Sequence, residues 1–209
     1  MKTILRKNQT VLFQGDSITD CERVKDDKTS LGVGYAHIVA SIFALMFPSL
    51  DIRFVNRGIN GNRVIDLLNR YDEDFREIQP DFLSVLIGIN DTWHDSQNPT
   101  GAKAYEEDYS LLLEKIKKDM PDCKIMIMEP FLINSFPDYM ILRDGLDPKI
   151  QIARKLAMKY ADYYLPLDGI FAKAAAEEFS YIELAADGVH PTAAGHSIIA
   201  GEYLKVIGR

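Results

Sequence analysis

The stretch Val11-Leu12-Phe13-Gln14-Gly15-Asp16-Ser17-Ile18-Thr19-Asp20 decides the fold. A short apolar run of strand-forming residues ends at Gly15, and the chain then turns through polar residues that include a serine. Read as the first strand of a parallel sheet, the run delivers Ser17 just beyond a strand's carboxyl end, where open α/β sheets place their chemistry. The plainer reading is that Asp16 or Ser17 caps a helix or closes a turn, positions both residue types favour. Taken alone, the stretch fits the plainer reading better. Three other stretches shift the balance, because each ends in a residue that a reactive serine needs.

Outward from this run, apolar segments of strand length alternate with longer segments of helical period, the pattern of a sheet covered by helices on both faces. Strands are expected at 10–14, 51–56, 82–87, 124–129 and 163–167, and helices at 35–47, 64–71, 104–120, 148–160, 169–179 and 192–207. In the helix expected at 104–120, Leu111, Leu112, Lys115, Ile116 and Lys118 give an apolar stripe with a charged back, and Pro121 stops it. No repeat, low-complexity tract or linker divides the chain, so the 209 residues read as a single domain. The architecture expected is α/β, a three-layer doubly wound fold like that of flavodoxin, with five parallel strands in the order 2-1-3-4-5. Two connections, 20–34 and 131–147, are longer than the architecture requires. Both leave the carboxyl edge of the sheet and are expected to wall a pocket, the second through Phe131, Phe136, Tyr139 and Met140.

Composition narrows the function. A net charge of -7 and a pI near 5.1 argue against a nucleic-acid partner, since such proteins gather Lys and Arg on one face. The opening residues 1–9 are basic but have no long apolar segment behind them, so they fail as a signal peptide, and no window has the apolar length of a membrane span. Cys21 and Cys123 form no C-x-x-C spacing, which points to neither a disulfide framework nor a thiolate metal site. A cytoplasmic protein without metal or other cofactor is the expectation.

Four turns carry the candidate chemistry: Gly15-Asp16-Ser17, Asn56-Arg57-Gly58-Ile59-Asn60-Gly61, Gly88-Ile89-Asn90-Asp91 and Asp187-Gly188-Val189-His190-Pro191. In a 2-1-3-4-5 sheet the winding reverses between the first and third strands, so Ser17 and Asn90 flank the switch-point crevice. A serine hydroxyl needs a base, and His190 is a candidate because imidazole titrates near neutrality. Asp187, three residues earlier, is placed to orient it. Acyl transfer also develops an oxyanion, for which the Ser17 N–H, the Gly58 N–H and the Asn90 amide are candidate donors. Each has a plainer use, in turns for Gly58 and Gly61 and in a helix cap for Asn90 and Asp91. For His37, His94 and His196 the role of a satisfied buried histidine is preferred.

These four blocks, in this order and spanning nearly the whole chain, resemble those of the SGNH hydrolases, also called the GDSL esterase/lipase family, with Ile18 where the name-giving motif has leucine. The resemblance implies Ser17 as nucleophile, His190 as base, Asp187 as its orienter, and Ser17, Gly58 and Asn90 as the oxyanion hole. The segment from Gly88 to Trp93, the 20–34 connection and the ending from His190 to His196 look most like carbohydrate acetyl esterases, notably those acting on acetylated xylo-oligosaccharides, and similar enzymes are homo-oligomers. On that reading the substrate is a small ester, an acetylated sugar, that Asp16 and Trp93 help to hold, Trp93 by offering a flat face to a sugar ring. Packing in the core or between subunits is the plainer fate of Trp93.

Other functions remain to be weighed. A lysophospholipase, thioesterase or broad arylesterase would use the same chemistry, but a long acyl chain needs an apolar channel for which no extra segment is evident. A nucleotide- or sugar-binding α/β module is the non-enzymatic alternative. Gly32-Val33-Gly34 offers only part of a dinucleotide fingerprint, since it follows a charged loop and His37 stands at the third glycine position.

Overall fold

Five segments become strands: β1 (Thr10–Gly15), β2 (Arg53–Asn56), β3 (Phe82–Leu86), β4 (Lys124–Met128) and β5 (Tyr163–Leu165). The computed structural model describes residues 2–93, 100–133, 140–177 and 179–208, apart from the side chains of Trp93, Met140 and Ile141. In it the strands pair in parallel in the expected order, β2-β1-β3-β4-β5. The register sets Phe13 beside Asn56 and Gly15 beside Leu86, so the turns after β1, β2 and β3 leave one edge together.

Nine α-helices follow the strands among the described residues: α1 (Ser17–Asp20), α2 (Tyr35–Met46), α3 (Val64–Asn69), α4 (Asn90–Trp93), α5 (Ala102–Asp119), α6 (Met140–Tyr160), α7 (Leu167–Glu177), α8 (Tyr181–Leu184) and α9 (Ala193–Ile207). Successive strand side chains point to opposite faces. Val11, Phe13, Phe82, Leu86, Met126 and Met128 therefore enter one core with Phe43 of α2, Phe171 of α7 and Tyr203 of α9. Leu12, Leu83, Val85, Ile125 and Ile127 enter the other with Leu67 of α3, Leu112 of α5 and Leu156 of α6. Burying each such side chain is worth about 1.5–3 kcal/mol relative to exposure. Phe13 lies 5.8 Å from the Tyr35 ring, 6.0 Å from Phe54 and 5.3 Å from Tyr203, which seats the strand preceding Ser17 among aromatic rings.

Several local expectations are corrected. The buried stripe of α5 is Tyr105, Tyr109, Leu112, Leu113 and Ile116, while Leu111 is half exposed. Two neighbouring apolar residues, Leu111 and Leu113, competed for one face, and the aromatic residues a turn or two earlier select the second. Strand β2 starts at Arg53 instead of 51 because Asp51 takes a left-handed φ of 51°. Helix α6 runs from Met140 through Pro148, where the sequence pointed to a start at 148. Proline disfavours a helix interior, but the extra turns are anchored from outside: Arg143 grips both oxygens of Asp168 at 2.6 and 2.8 Å, and Leu146 is fully buried. The 131–147 connection is therefore shorter than expected, and Phe131 sits in the core instead of walling a pocket. Phe136 and Tyr139, and the side chain of Met140, lie outside the described residues. Cys21 and Cys123 are both free thiols. Among the described residues no helix is long and apolar enough to cross a membrane.

Candidate active site

The serine turn is forced into shape by close packing. A Cβ on Gly15 would stand 2.3 Å from Leu86 O and 2.4 Å from Thr19 Oγ1, so only glycine fits where the chain leaves β1. Asp16 then caps α1, its Oδ1 accepting the Ile18 N–H at 3.0 Å. Ser17 becomes the first residue of that helix, where an N–H lacks an intrahelical acceptor. The Ser17 hydroxyl lies 2.9 Å from His190 Nε2.

His190 comes from the turn between α8 and α9. Thr192 caps α9 through Oγ1 and ties back to α8, its N–H donating to Leu184 O at 2.9 Å and its hydroxyl to Glu183 O at 2.5 Å. Within the turn, Asp187 Oδ1 accepts the N–H groups of Val189 and His190 at 3.0 and 2.7 Å, and Oδ2 lies 2.6 Å from His190 Nδ1. Burial raises the Asp187 pKa, but these three donors outweigh it and hold the carboxyl below the usual range. With Nδ1–H directed at a carboxylate, the lone pair of Nε2 faces the serine hydroxyl.

The turns after β2 and β3 approach from the other side. Asn56 is fully buried; its amide donates to Thr19 O at 2.6 Å and Leu31 O at 2.9 Å, and its Oδ1 accepts the Gly58 N–H at 2.8 Å. A Cβ on Gly58 would meet Asp20 N at 2.3 Å, so glycine is required there by proximity of backbone. The Gly58 N–H, a candidate oxyanion donor, thus has an acceptor of its own in Asn56 Oδ1. Asn90 opens α4 and donates one amide proton to Asn62 O at 3.1 Å.

Asp16, expected at the substrate, is instead 1 % exposed and serves the backbone as a cap. Its Oδ2 has no hydrogen-bond partner among the described residues, and burial pushes its pKa up to about 7 against the pull of His190. Asp91, also buried, is pushed up to about 6 for the same reason and repels it. His196 is the buried, satisfied histidine foreseen: Nδ1 accepts the Tyr35 N–H at 3.2 Å, leaving Nε2–H for Cys21 Sγ at 3.3 Å, and burial lowers its pKa to about 4. His37 is exposed, contrary to expectation, and His94 and the Trp93 side chain lie outside the described residues.

A cavity of about 440 Å³ opens over Ser17 and His190. Asp20, Glu22, Arg23 and Lys25 from the 20–34 connection line it, together with Asn60, so that connection does wall a pocket. Sequence reasoning missed Arg23, Asn56 and Arg70, whose guanidinium and amide groups fasten the turns to one another. No local pattern marks them, though Arg70 and Asp74 stand at the i,i+4 spacing of a helical ion pair. Among the described residues no group of three His, Cys, Asp or Glu side chains could hold a metal ion.

Residues 13–198 match the model of the GDSL-like lipase/acylhydrolase family. An acetylxylan esterase of Geobacillus stearothermophilus is 33% identical over 208 residues, covering 96% of this chain and 94% of that protein. Its crystal structure superposes with a TM-score of 0.87 at 32% identity over 98% of this chain and 96% of that one. The structures solved for that esterase include catalytic mutants in which a serine, an aspartate or a histidine is replaced by alanine. A protein of Parabacteroides merdae ATCC 43184, assigned to the GDSL-like lipases, reaches a TM-score of 0.93 at 31% identity over 100% of this chain and 99% of that one. The chain thus belongs to the GDSL-like lipase/acylhydrolase family and is a carboxylic ester hydrolase.

Proposed function

We propose that this chain is a serine esterase that removes acetyl groups from sugars, with Ser17 as nucleophile, His190 as base and Asp187 as its orienter. The observation that carries the reading is the unbroken line from Ser17 Oγ through His190 to Asp187, at 2.9 and 2.6 Å. Ser17 Oγ attacks the ester carbonyl carbon while His190 Nε2 takes its proton. The tetrahedral intermediate collapses, the carbon–oxygen bond to the sugar breaks, and the leaving oxygen takes that proton from His190. Water then attacks the acetyl-serine, giving one proton to His190, and acetate leaves as Ser17 Oγ recovers it. The oxyanion is met by the Ser17 N–H and the second amide proton of Asn90, with the Gly58 N–H shared between it and Asn56.

The substrate follows from the cavity and from the relative. Acidic, basic and amide side chains, Asp20, Glu22, Arg23, Lys25 and Asn60, form much of its wall. Such a wall suits a hydrated sugar better than a lipid tail, and the Geobacillus stearothermophilus relative acts as an acetylxylan esterase. An acyl-length series of aryl esters, run beside acetylated xylose and short acetylated xylo-oligosaccharides, tests the reading. Rates should fall steeply beyond acetyl, acetate should be released from the sugars, and Ser17→Ala should abolish both. Faster hydrolysis of long-chain esters than of sugar acetates would overturn the substrate assignment.

A further inference from the structure

A largely buried guanidinium, that of Arg70, hydrogen-bonds the turns that carry the candidate oxyanion donors. A guanidinium has five N–H donors in a rigid plane, and in Arg70 each has an acceptor. Nε donates to Asn62 Oδ1 at 2.9 Å; Nη1 donates to Arg57 O at 2.9 Å and to Asp74 Oδ2; Nη2 donates to Gln14 Oε1 at 3.0 Å and Gly15 O at 3.5 Å. Three of these acceptors lie on the turns that carry the candidate donors. Gly15 O stands at the start of the Ser17 turn. Arg57 O belongs to the same peptide plane as the Gly58 N–H. Asn62 carries the backbone carbonyl that takes one amide proton of Asn90 at 3.1 Å.

We propose that Arg70 is a positioning residue for transition-state stabilisation, one planar group that fixes the Ser17, Gly58 and Asn90 donors relative to one another. The proposal rests on the serine-esterase reading above. Arg70 is only 14% exposed, and Asp74, buried and also approached by Arg57 Nε at 3.4 Å, balances its charge. In such a dry setting its bond to Arg57 O polarises the 57–58 peptide and strengthens the Gly58 N–H as a donor. Its bond to Asn62 fixes the residue that orients the Asn90 amide, leaving the second Asn90 proton directed to the oxyanion. A lysine cannot substitute, because three donors on one nitrogen do not reproduce a five-donor fork.

The experiment compares wild type, Arg70→Lys and a charge-neutral Arg70→Gln/Asp74→Asn double variant on an aryl acetate. Thermal unfolding, and affinity for a boronic acid that forms a tetrahedral adduct with a reactive serine, are measured alongside. In folded protein kcat should fall about 10- to 100-fold, the scale of a small misplacement of catalytic groups. KM should stay within about threefold, and boronic acid affinity should fall in step with kcat. A folded variant with kcat within about twofold of wild type would overturn the proposal, as would a raised KM at unchanged kcat. Failure of both variants to fold would make Arg70 a residue of stability and also overturn it. Ser17→Ala, assayed in parallel, separates the two readings: retained turnover there removes the serine mechanism itself, whatever Arg70 does.

Discussion

Thr19 O is fastened by Asn56 from 37 residues away and Gly15 O by Arg70 from 55, whereas Asp187 and His190 stand three residues apart and hold each other. The serine side is dry: Asp16 is 1 % exposed and Asn56 fully buried. The histidine side is wet, with the His190 and Asp187 side chains 51% and 47% exposed. A solvent-exposed carboxylate–imidazole contact adds little to folding, while unmet polar groups in a dry site cost about 1–3 kcal/mol each. The two halves should therefore respond differently to damage. Altering the histidine turn should cost activity alone, and altering the serine side should cost activity and stability together.

The largest expected effect comes from the wet half. Asp187→Asn should leave thermal unfolding nearly unchanged yet lower kcat by roughly 10⁴-fold, because an amide favours the wrong imidazole tautomer. On the dry half, Asn90→Ala should lower kcat by about 100- to 1,000-fold with KM changed much less. It should also cost about 1 kcal/mol of stability, as Asn62 O loses its donor. Kinetics on purified folded protein, paired with denaturant unfolding, check both; equal stability losses in the two variants would erase the contrast between the halves.

Much of the contrast was legible in the sequence, and the limit was reach. Glycine, aspartate, asparagine and histidine at turns announce themselves, because backbone geometry and local capping demand those residue types. Asp187 and His190 could be paired from spacing alone. The strands were readable as apolar runs, since a parallel sheet is buried on both faces. Asn56, Arg23 and Arg70 were not readable, because their acceptors are distant in sequence and an arginine near a helix end looks like an ordinary surface cation. The sequence offers Asp16 both to a helix cap and to the substrate, and the fold uses its Oδ1 as a cap. The start of α6 was hidden by Pro148, whose local preference yields to the Arg143–Asp168 contact.

The remaining effect, on stability alone, concerns Asp16 and pH. An unfolded aspartate titrates at 3.8, whereas burial raises folded Asp16 to about 7. Between these values the folded state keeps a proton that the unfolded chain has released, so the residue's contribution to stability falls as pH rises through that window. Asp16→Asn retains a capping oxygen but cannot ionise. Its stability relative to wild type should therefore increase from about pH 4 to about pH 7, by at most about 1.4 kcal/mol per pH unit. Asp91 and His196 titrate in both proteins, so the difference between two urea series cancels their own contributions and leaves Asp16 with its coupling to Asp91. A difference that stays flat across the window would show that Asp16 is ionised throughout and that the serine side is wetter than described.

The central claim, that Ser17 is the nucleophile, is tested most directly by treating the protein with an organophosphonate and locating the adduct by mass spectrometry. The account predicts one phosphonyl group per chain, on Ser17, with ester hydrolysis lost in proportion to labelling and no adduct on Ser17→Ala. An inactivating adduct on another residue, or wild-type turnover by Ser17→Ala, would contradict it.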